Sequence, residues 1–246
     1  MSLPDLDQAN IDNLTMLYTH MGLAPPVQGL PDAVRLSASW PHRCFLAWDS
    51  PSDAVDGLSA QLTAVPERAI VPVWPWPNGR AEPLETALVE TGFVKRSVLN
   101  AMVLDMATGQ GTGAADPESR VITSPEDIAT WTDVCSRGFG YAIDEAVIHR
   151  ISTVPGLTLY LTYHEDQPAA TALTLETGDT IGLHQLGVPK DFRGQGVGRR
   201  AMHHAMACCH ASECRYATLQ ASAAGEGIYR RLGFEVQFPI RNYQQT

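Results

Sequence analysis

The residues best suited to chemistry lie between Leu183 and Arg200, where an apolar segment runs into a basic, glycine-rich loop. Pro189 ends the apolar segment as a strand, because proline has no backbone N–H to donate to a sheet. Beyond it, apolar residues recur at helical spacing. Three glycines at alternate positions precede that helical pattern: Gly194, Gly196 and Gly198. The spacing therefore predicts the order strand, glycine-rich loop, helix.

A helix that begins in such a loop favours an anionic ligand. Its first backbone N–H groups have no partner within the helix, and the aligned peptide dipoles place partial positive charge there. Glycine leaves these N–H groups accessible to a pyrophosphate. Basic side chains reinforce the preference in a chain whose net charge is −10: Lys190, Arg193, Arg199 and Arg200. The alternative interpretation is a glycine-rich turn between strand and helix that binds no ligand.

Two common nucleotide-binding motifs do not fit this loop. A P-loop requires lysine and then serine or threonine after its last glycine, whereas Gly198 is followed by Arg199 and Arg200. A dinucleotide-binding loop has the spacing G-x-G-x-x-G, whereas the glycines here alternate. The loop therefore does not match the usual nucleotide-binding motifs, and a turn that binds no ligand stays open.

Two segments carry a resemblance to a known family. The segment 193–198, RGQGVG, resembles the R/Q-x-x-G-x-G/A signature of the GNAT superfamily of acyl-CoA-dependent N-acyltransferases. The segment 221–234, ASAAGEGIYRRLGF, resembles the second hallmark of that family. The resemblance covers about residues 120–246. It implies an α/β (α+β) fold with a mixed, mostly antiparallel sheet flanked by helices.

The resemblance also implies a site for the cofactor, acetyl-CoA. The backbone N–H groups of residues 194–199 would hold its pyrophosphate, and the strand backbone at residues 186–188 would pair with its pantetheine arm. The predicted cofactor-binding residues are Leu186, Gly187, Val188, Arg193, Gly194, Gln195, Gly196, Val197, Gly198 and Arg199.

Three side chains are candidates for proton transfer. Tyr229 lies where the family carries a tyrosine that protonates the leaving thiolate; alternatively, its ring only packs on the helix. His184, whose reference pKa is near ~6.5, and Glu176 are the candidate bases for the attacking amine, with an ordered water as a third possibility. His184 could instead be a core histidine. A backbone N–H near Leu186 or Val188 would stabilise the acyl oxygen.

The chain divides on composition into two predicted domains. A glycine- and alanine-rich linker at 107–117 separates an N-terminal domain, residues 1–106, from the acetyl-CoA-binding domain, residues 118–246. In each domain a helix ends on Gly-Phe before a strand, at Gly92 and at Gly233. We therefore expect the smaller N-terminal domain to be a degenerate, GNAT-like copy that does not bind the cofactor.

Hydrophobic periodicity places the remaining elements. Predicted helices cover 7–20, 53–64 with Ser52 or Asp53 as cap, 83–91, 125–139 with Ser124 as cap, 143–153 and 228–232. Predicted strands cover 34–40, 44–48, 69–74, 94–106, 157–164, 169–176, 180–188, 216–221 and 235–243.

Composition excludes several classes of function. Hydrophobic residues make up 44% of the chain, enough for a core, yet no apolar run is long enough to span a membrane. The five cysteines are an odd number without a C-x-x-C pair, and the N-terminus has no secretory pattern, so we expect a cytoplasmic protein. Acidic charge disfavours nucleic-acid binding. His203 and His204 are adjacent on a helix and point apart, so no metal is expected.

The sequence therefore predicts an N-acetyltransferase. It would move the acetyl group of acetyl-CoA to a primary amine of a small molecule, amino acid or peptide, by direct attack in a ternary complex. The alternative is a catalytically weak module that binds acyl-CoA as a sensor or scaffold. A homodimer is compatible with either.

Overall fold

The computed structural model describes residues 3–108 and 115–245. The helices in these ranges are α1 (Leu3–His20), α2 (Ser52–Ala60), α3 (Ala81–Glu90), α4 (Pro125–Phe139), α5 (Glu145–Ile151), α6 (Val197–Ala211) and α7 (Glu226–Arg231). The strands are β1 (Arg35–Leu36), β2 (Cys44–Phe45), β3 (Ile70–Val73), β4 (Phe93–Asp105), β5 (Ser119–Val121), β6 (Leu157–His164), β7 (Gln167–Thr177), β8 (Thr180–Gly187), β9 (Tyr216–Ser222) and β10 (Glu235–Gln245).

The predicted fold class is confirmed. Helices flank a mixed, mostly antiparallel sheet formed by the eight strands β3 to β10. The pairing of β8 with β9 is parallel, while β5, β6, β7 and β8 are joined as antiparallel neighbours. No helix in the described ranges combines the length and the apolar character needed to cross a membrane.

The first of two compact units contains most of the N-terminal half of the chain. It comprises residues 1–102 together with 220–227 and 236–246. Within it, β3 pairs antiparallel with β10, so that Val71 lies opposite Tyr243. One apolar cluster fills this unit and includes Trp74, Leu88 and Phe93, each almost fully buried. The unit therefore has a core of its own.

The second compact unit comprises residues 103–219 and 228–235. Its strand order is β9-β8-β7-β6-β5, and α4 and α6 pack against β7. The buried indole of Trp131 on α4 donates a hydrogen bond from Nε1 to the Ala172 carbonyl, at 3.2 Å. This contact fixes α4 against the middle of β7, next to the strand that leads into the glycine-rich loop.

The predicted domain boundary stays a prediction. Much of the expected linker at 107–117 lies outside the described residues, and both compact units take segments from either side of it. The local Gly-Phe motif is present twice: Gly92 after α3 has φ +91° and Gly233 after α7 has φ +94°. Such left-handed glycines end helices without the steric cost of a Cβ. The expectation that the N-terminal copy is degenerate likewise remains a prediction.

Several predicted elements are confirmed and others are corrected. α4 has its predicted bounds, and Ser124 caps it by accepting the Asp127 N–H at 3.1 Å. α2 was predicted with a Ser52 or Asp53 cap, but Pro51 occupies that position without a side-chain cap. The predicted strands at 34–40 and 44–48 shrink to two residues each. Prolines on either side, such as Pro41, interrupt the ladder there.

Candidate active site

The end of β8 is the point at which the sheet of the second unit opens. β8 and β9 pair in parallel from Thr180–Tyr216 to Leu183–Leu219, and the pairing stops there. β8 itself continues to Gly187, with β7 still paired along its other side. No pairing with β9 extends to residues 185–187, so the edge of β8 there is the part of the strand that a ligand could reach.

The glycine-rich loop presents unpaired backbone donors. In the part of the chain that the structure describes, none of the N–H groups of residues 194–199 donates a hydrogen bond to another protein atom. Gly194 and Gly196 both have φ +78°, and no protein atom outside the neighbouring residues lies within 4 Å of where a Cβ would sit. Gly196 is the N-cap of α6, without a side-chain cap. Bare donors at a helix start form an anion site.

The four basic side chains of this segment divide into two pairs. Arg193 and Arg200 already bind protein groups. The Arg193 guanidinium donates to the carbonyls of Val188 and Gly138, at 3.0 and 2.8 Å, and Arg200 donates to the Tyr163 carbonyl at 2.7 Å. The other pair, Lys190 and Arg199, is exposed. Within the described residues, the side chains of these two make no ion pair or hydrogen bond. These two cations are therefore the ones available to a phosphate.

Glycines allow α4, β8 and α6 to approach one another closely. A Cβ added to Gly138, near the end of α4, would lie 2.9 Å from the Val188 nitrogen. A Cβ at Gly198, in the first turn of α6, would lie 3.1 Å from a methyl group of Val188. The end of β8 is thus held tightly between two helices, which fixes the strand backbone relative to the loop.

A β-bulge interrupts β8 just before its end. Leu173 of β7 lies opposite His184, but Thr171 lies opposite Gly187, so β8 carries one extra residue. Gln185 adopts φ +52°, which is uncommon for a residue with a side chain. Bulges of this kind redirect backbone groups and occur often beside active sites.

Two hydrogen bonds hold Gln185 in the bulge, one to its backbone carbonyl and one to its side-chain oxygen. The Thr171 hydroxyl donates to the Gln185 carbonyl at 2.9 Å, and the Cys135 thiol on α4 lies 3.7 Å from Gln185 Oε1. Burial raises the pKa of the Cys135 thiol to about 12, so the sulfur stays protonated at neutral pH. Cys135 therefore holds the bulge as a thiol and is unsuited to act as a nucleophile.

The structure places His184 on the face of the sheet that α4 covers. Thr174, which pairs with Leu183, has its hydroxyl 3.2 Å from that of Tyr160, whose ring meets His204 of α6. Leu183 therefore faces α6, and the next residue, His184, faces the opposite side. His184 is buried and precedes Gly187 by about 10 Å along the strand.

Glu176 is separated from the loop. It pairs with Ile181 near the start of β8, about 20 Å along the strand from Gly187. Its side chain is exposed, and its backbone N–H donates to the Gly156 carbonyl at 2.9 Å. Of the two candidate bases, the geometry favours His184, because only His184 lies near the end of β8.

Tyr229 lies on α7 with its ring half-buried. The ring meets that of Phe234 edge-on, with centroids 6.1 Å apart. Burial raises the pKa of the Tyr229 phenol to about 12. Across the described residues its hydroxyl has no hydrogen-bond partner, so a proton on this oxygen is available to a ligand.

Three residues with close contacts at this site were not selected from the sequence. They are Gly138, Thr171 and Gln185. Gly138 could have been suspected, since a glycine inside a helix often marks close packing. The other two carry no local signal, because a threonine in a strand is common and nothing in the sequence indicates that Gln185 has a positive φ.

Comparison with known families supports this geometry. Residues 155–236 match the family model described as an acetyltransferase (GNAT) domain. That range contains β8, the glycine-rich loop, α6 and Tyr229. This segment of the chain is similar to GNAT acetyltransferase domains. The resemblance stated for the motif at 193–198 is thereby confirmed at the level of the family.

Solved structures extend the likeness of fold beyond the GNAT domain. A GCN5-related N-acetyltransferase from Kribbella flavida is 16% identical, with a TM-score of 0.69 over 97% of this chain and 95% of that one. A putative GNAT acetyltransferase from Novosphingobium aromaticivorans is 15% identical, with a TM-score of 0.62 over 97% and 99%. At such low identity, these matches show the fold alone. Among curated proteins, none matches the chain.

Proposed function

We propose that the protein is an acetyl-CoA-dependent N-acetyltransferase that acts on a primary amine of a small molecule, amino acid or peptide. The observation that carries the proposal is the set of unpaired backbone N–H groups at 194–199, at the start of α6. A pyrophosphate requires several such donors together with positive charge, and Lys190 and Arg199 supply the charge.

The residues present fit the acyl donor. Gly194 and Gly196 leave open space above the donors, so that a bulky anion can reach the backbone. The edge of β8 at residues 185–187, which β9 does not cover, can pair with an extended amide-bearing chain such as pantetheine, by strand addition. Arg193 serves the site indirectly, since its guanidinium ties the loop to the end of α4.

Bound acetyl-CoA would supply a thioester, in which the amine nitrogen would form a C–N bond with the acetyl carbon and the C–S bond would break. Around that reaction the protein has three tasks. His184, or a water that it positions, takes the proton that the ammonium must lose. The Leu186 N–H donates to the acyl oxygen as negative charge develops there. Tyr229 would give its proton to the leaving sulfur, since its raised pKa keeps the phenol protonated beforehand. The second proton of the nitrogen, which becomes acidic once the C–N bond has formed, would then return to the Tyr229 oxygen.

Direct transfer is favoured over a covalent acyl-enzyme. The thiol nearest to the end of β8, Cys135, has its pKa raised to about 12 by burial. A thiol with that pKa is almost entirely protonated at neutral pH and is a weak nucleophile. All five cysteines are free thiols, which supports a reducing, cytoplasmic setting.

Isothermal titration with acetyl-CoA tests the proposal. The wild type should bind in the micromolar range, and Gly196→Glu should weaken binding about 100-fold, or about 2.8 kcal/mol, because a carboxylate would occupy the anion site. Gly178→Glu is the matched control, since Gly178 also has positive φ (+60°) and open space but lies in the turn between β7 and β8.

A panel of primary amines then separates an enzyme from a binding module. Release of CoA with a polyamine, an amino acid or a short peptide would establish acetyl transfer. Binding without release for any amine would support the sensor or scaffold. Absence of binding to the wild type would overturn both.

A further inference from the structure

The bulge in β8 controls the direction of one particular peptide group. The carbonyl of Gln185 and the N–H of Leu186 belong to the same planar, trans peptide unit, so they point in opposite directions. The Thr171 hydroxyl on β7 holds the Gln185 carbonyl at 2.9 Å. The Leu186 N–H must then point away from β7, toward the edge of β8 where pairing with β9 has ended.

Thr171 is well placed to hold this orientation. Its side chain is fully buried, and its hydroxyl donates to the Gln185 carbonyl at the point where the register between β7 and β8 shifts. Without the Thr171 hydroxyl, the Gln185 carbonyl would lose one hydrogen-bond donor beside β7. The peptide could then rotate toward the more common conformation with negative φ at Gln185.

We propose that Thr171 is a positioning residue for acyl transfer. Its hydroxyl fixes the Gln185–Leu186 peptide, so that the Leu186 N–H meets the acyl oxygen of the bound donor. The inference depends on the function proposed above, since it concerns the same donor. Thr171 itself touches neither substrate, and its effect on the reaction passes through its hydrogen bond to the Gln185 carbonyl and one rigid peptide plane. Its hydroxyl also contacts the Cys135 thiol, and Thr171→Ser keeps a hydroxyl for both contacts.

The chain offers a matched control on the same strand. Thr174 is also a buried threonine of β7, and its hydroxyl also makes one hydrogen bond, to the Tyr160 hydroxyl at 3.2 Å. It faces α6, however, and pairs with Leu183 before the bulge. Thr174→Val therefore removes an equivalent buried hydroxyl without changing the peptide at residue 185.

The test compares Thr171→Val, Thr171→Ser and Thr174→Val, using acetyl-CoA labelled with ¹³C at the acetyl carbonyl. A hydrogen bond from Leu186 polarises that carbonyl, so its NMR signal in the wild-type complex should shift downfield from that of free acetyl-CoA. We expect Thr171→Val to lose most of that shift, while Thr171→Ser and Thr174→Val keep it. Titration should give similar dissociation constants in all four proteins, because the loop at 194–199 is unchanged.

A kinetic measurement accompanies the spectrum. With the best amine found in the panel, Thr171→Val should lower kcat by about 10- to 100-fold. That is less than the roughly 100- to 1,000-fold loss when a donor to a developing oxyanion is removed outright, because the Leu186 N–H is redirected and not deleted. The KM for acetyl-CoA should change little, and Thr171→Ser should restore kcat. A purely structural role would instead make Thr171→Val resemble Thr174→Val in both readouts.

The outcomes separate the two proposals. Failure of the wild type to bind acetyl-CoA would overturn the proposed function and this inference with it. Binding by the wild type, with the same carbonyl shift in Thr171→Val and Thr174→Val, would overturn the inference alone. If Thr171→Val does not fold, Thr171→Ala removes the same hydroxyl with a smaller side chain, and its comparison with Thr171→Ser decides the question.

Discussion

At the scale of single residues, chemical type alone did not assign the roles of the charged groups. Arg193 and Arg199 are both basic residues of one loop. Both are exposed, but Arg193 donates to the carbonyls of Val188 and Gly138, whereas within the described residues the Arg199 side chain makes no hydrogen bond or ion pair. The carbonyl of Gly138 lies near the C-terminus of α4, where a guanidinium is favoured by the helix dipole. Arg193 therefore stabilises the loop, and Arg199 is left for the ligand.

Replacing Tyr229 by phenylalanine tests the proton donor. We expect kcat to fall about 100-fold, as is typical when a general acid is removed, with little change in the KM for acetyl-CoA. Since burial raises the pKa of the phenol to about 12, Tyr229 keeps its proton throughout the neutral range. The wild-type rate should therefore show no loss from this group until the pH approaches 12, as steady-state pH profiles would check.

Tyr216→Phe is the control for Tyr229→Phe. Tyr216 is a buried tyrosine at the start of β9, paired with Thr180 at the other end of β8 from the loop. This variant should keep the wild-type kcat. Unchanged kcat in Tyr229→Phe itself would show that the sulfur receives its proton from elsewhere.

At the scale of elements, the site depends on how closely α4 and α6 approach the end of β8. Gly138 and Gly198 both lie against Val188, one from each helix. Side chains at these positions would push the helices apart, so the glycines determine the packing distance. The loop that begins α6 and the strand that would hold the donor are thereby kept in a fixed relation.

Gly138→Ala tests this packing, and the sign of the effect is diagnostic. Alanine normally stabilises a helix relative to glycine by up to about 1 kcal/mol. Here the new Cβ would lie 2.9 Å from the backbone nitrogen of Val188, which must move. We expect a net loss of about 1–3 kcal/mol in the free energy of unfolding, measured by urea denaturation.

Thr130→Ala, a change at a half-buried residue on the same helix that lies outside the contact with Val188, should alter the free energy of unfolding by no more than about 0.5 kcal/mol. A more stable Gly138→Ala variant would mean that α4 can withdraw from β8 without cost. In that case the distance between these elements would not be fixed by Gly138.

At the scale of the whole molecule, one helix of each compact unit can be compared at its first turn, namely α6 and α2. α6 begins at Gly196 with bare N–H groups, whereas α2 in the first unit begins after Pro51 and carries Asp53 in its first turn. The Asp53 carboxylate accepts the Ala54 N–H at 3.1 Å. A carboxylate at that position occupies a backbone donor and repels a phosphate.

We therefore expect one acetyl-CoA per chain. Titration of the wild type should give a stoichiometry near one. In Gly196→Glu, titration should detect no further site that binds acetyl-CoA with lower affinity. A stoichiometry near two would show that the first unit binds the donor as well, contrary to the prediction of a degenerate N-terminal copy.

The sequence by itself determined the features that depend on local chemistry. Pro189 ends a strand because it lacks an N–H, Ser124 caps α4 because its hydroxyl reaches the next turn, and alternate glycines open α6. These effects act within a few residues. For the same reason the order strand, loop, helix and the bounds of β6 could be predicted, and the motif at 193–198 indicated the family.

Only the tertiary structure decided the features that depend on strand register. The pairing of Thr171 with Gly187 creates the bulge and the positive φ of Gln185, and the pairing of Glu176 with Ile181 separates that carboxylate from the loop. Register is set by contacts between residues distant in sequence, so no local pattern encodes it. Which of the two candidate bases lies nearer the end of β8, and which hydroxyl meets the Gln185 carbonyl, follow from that register.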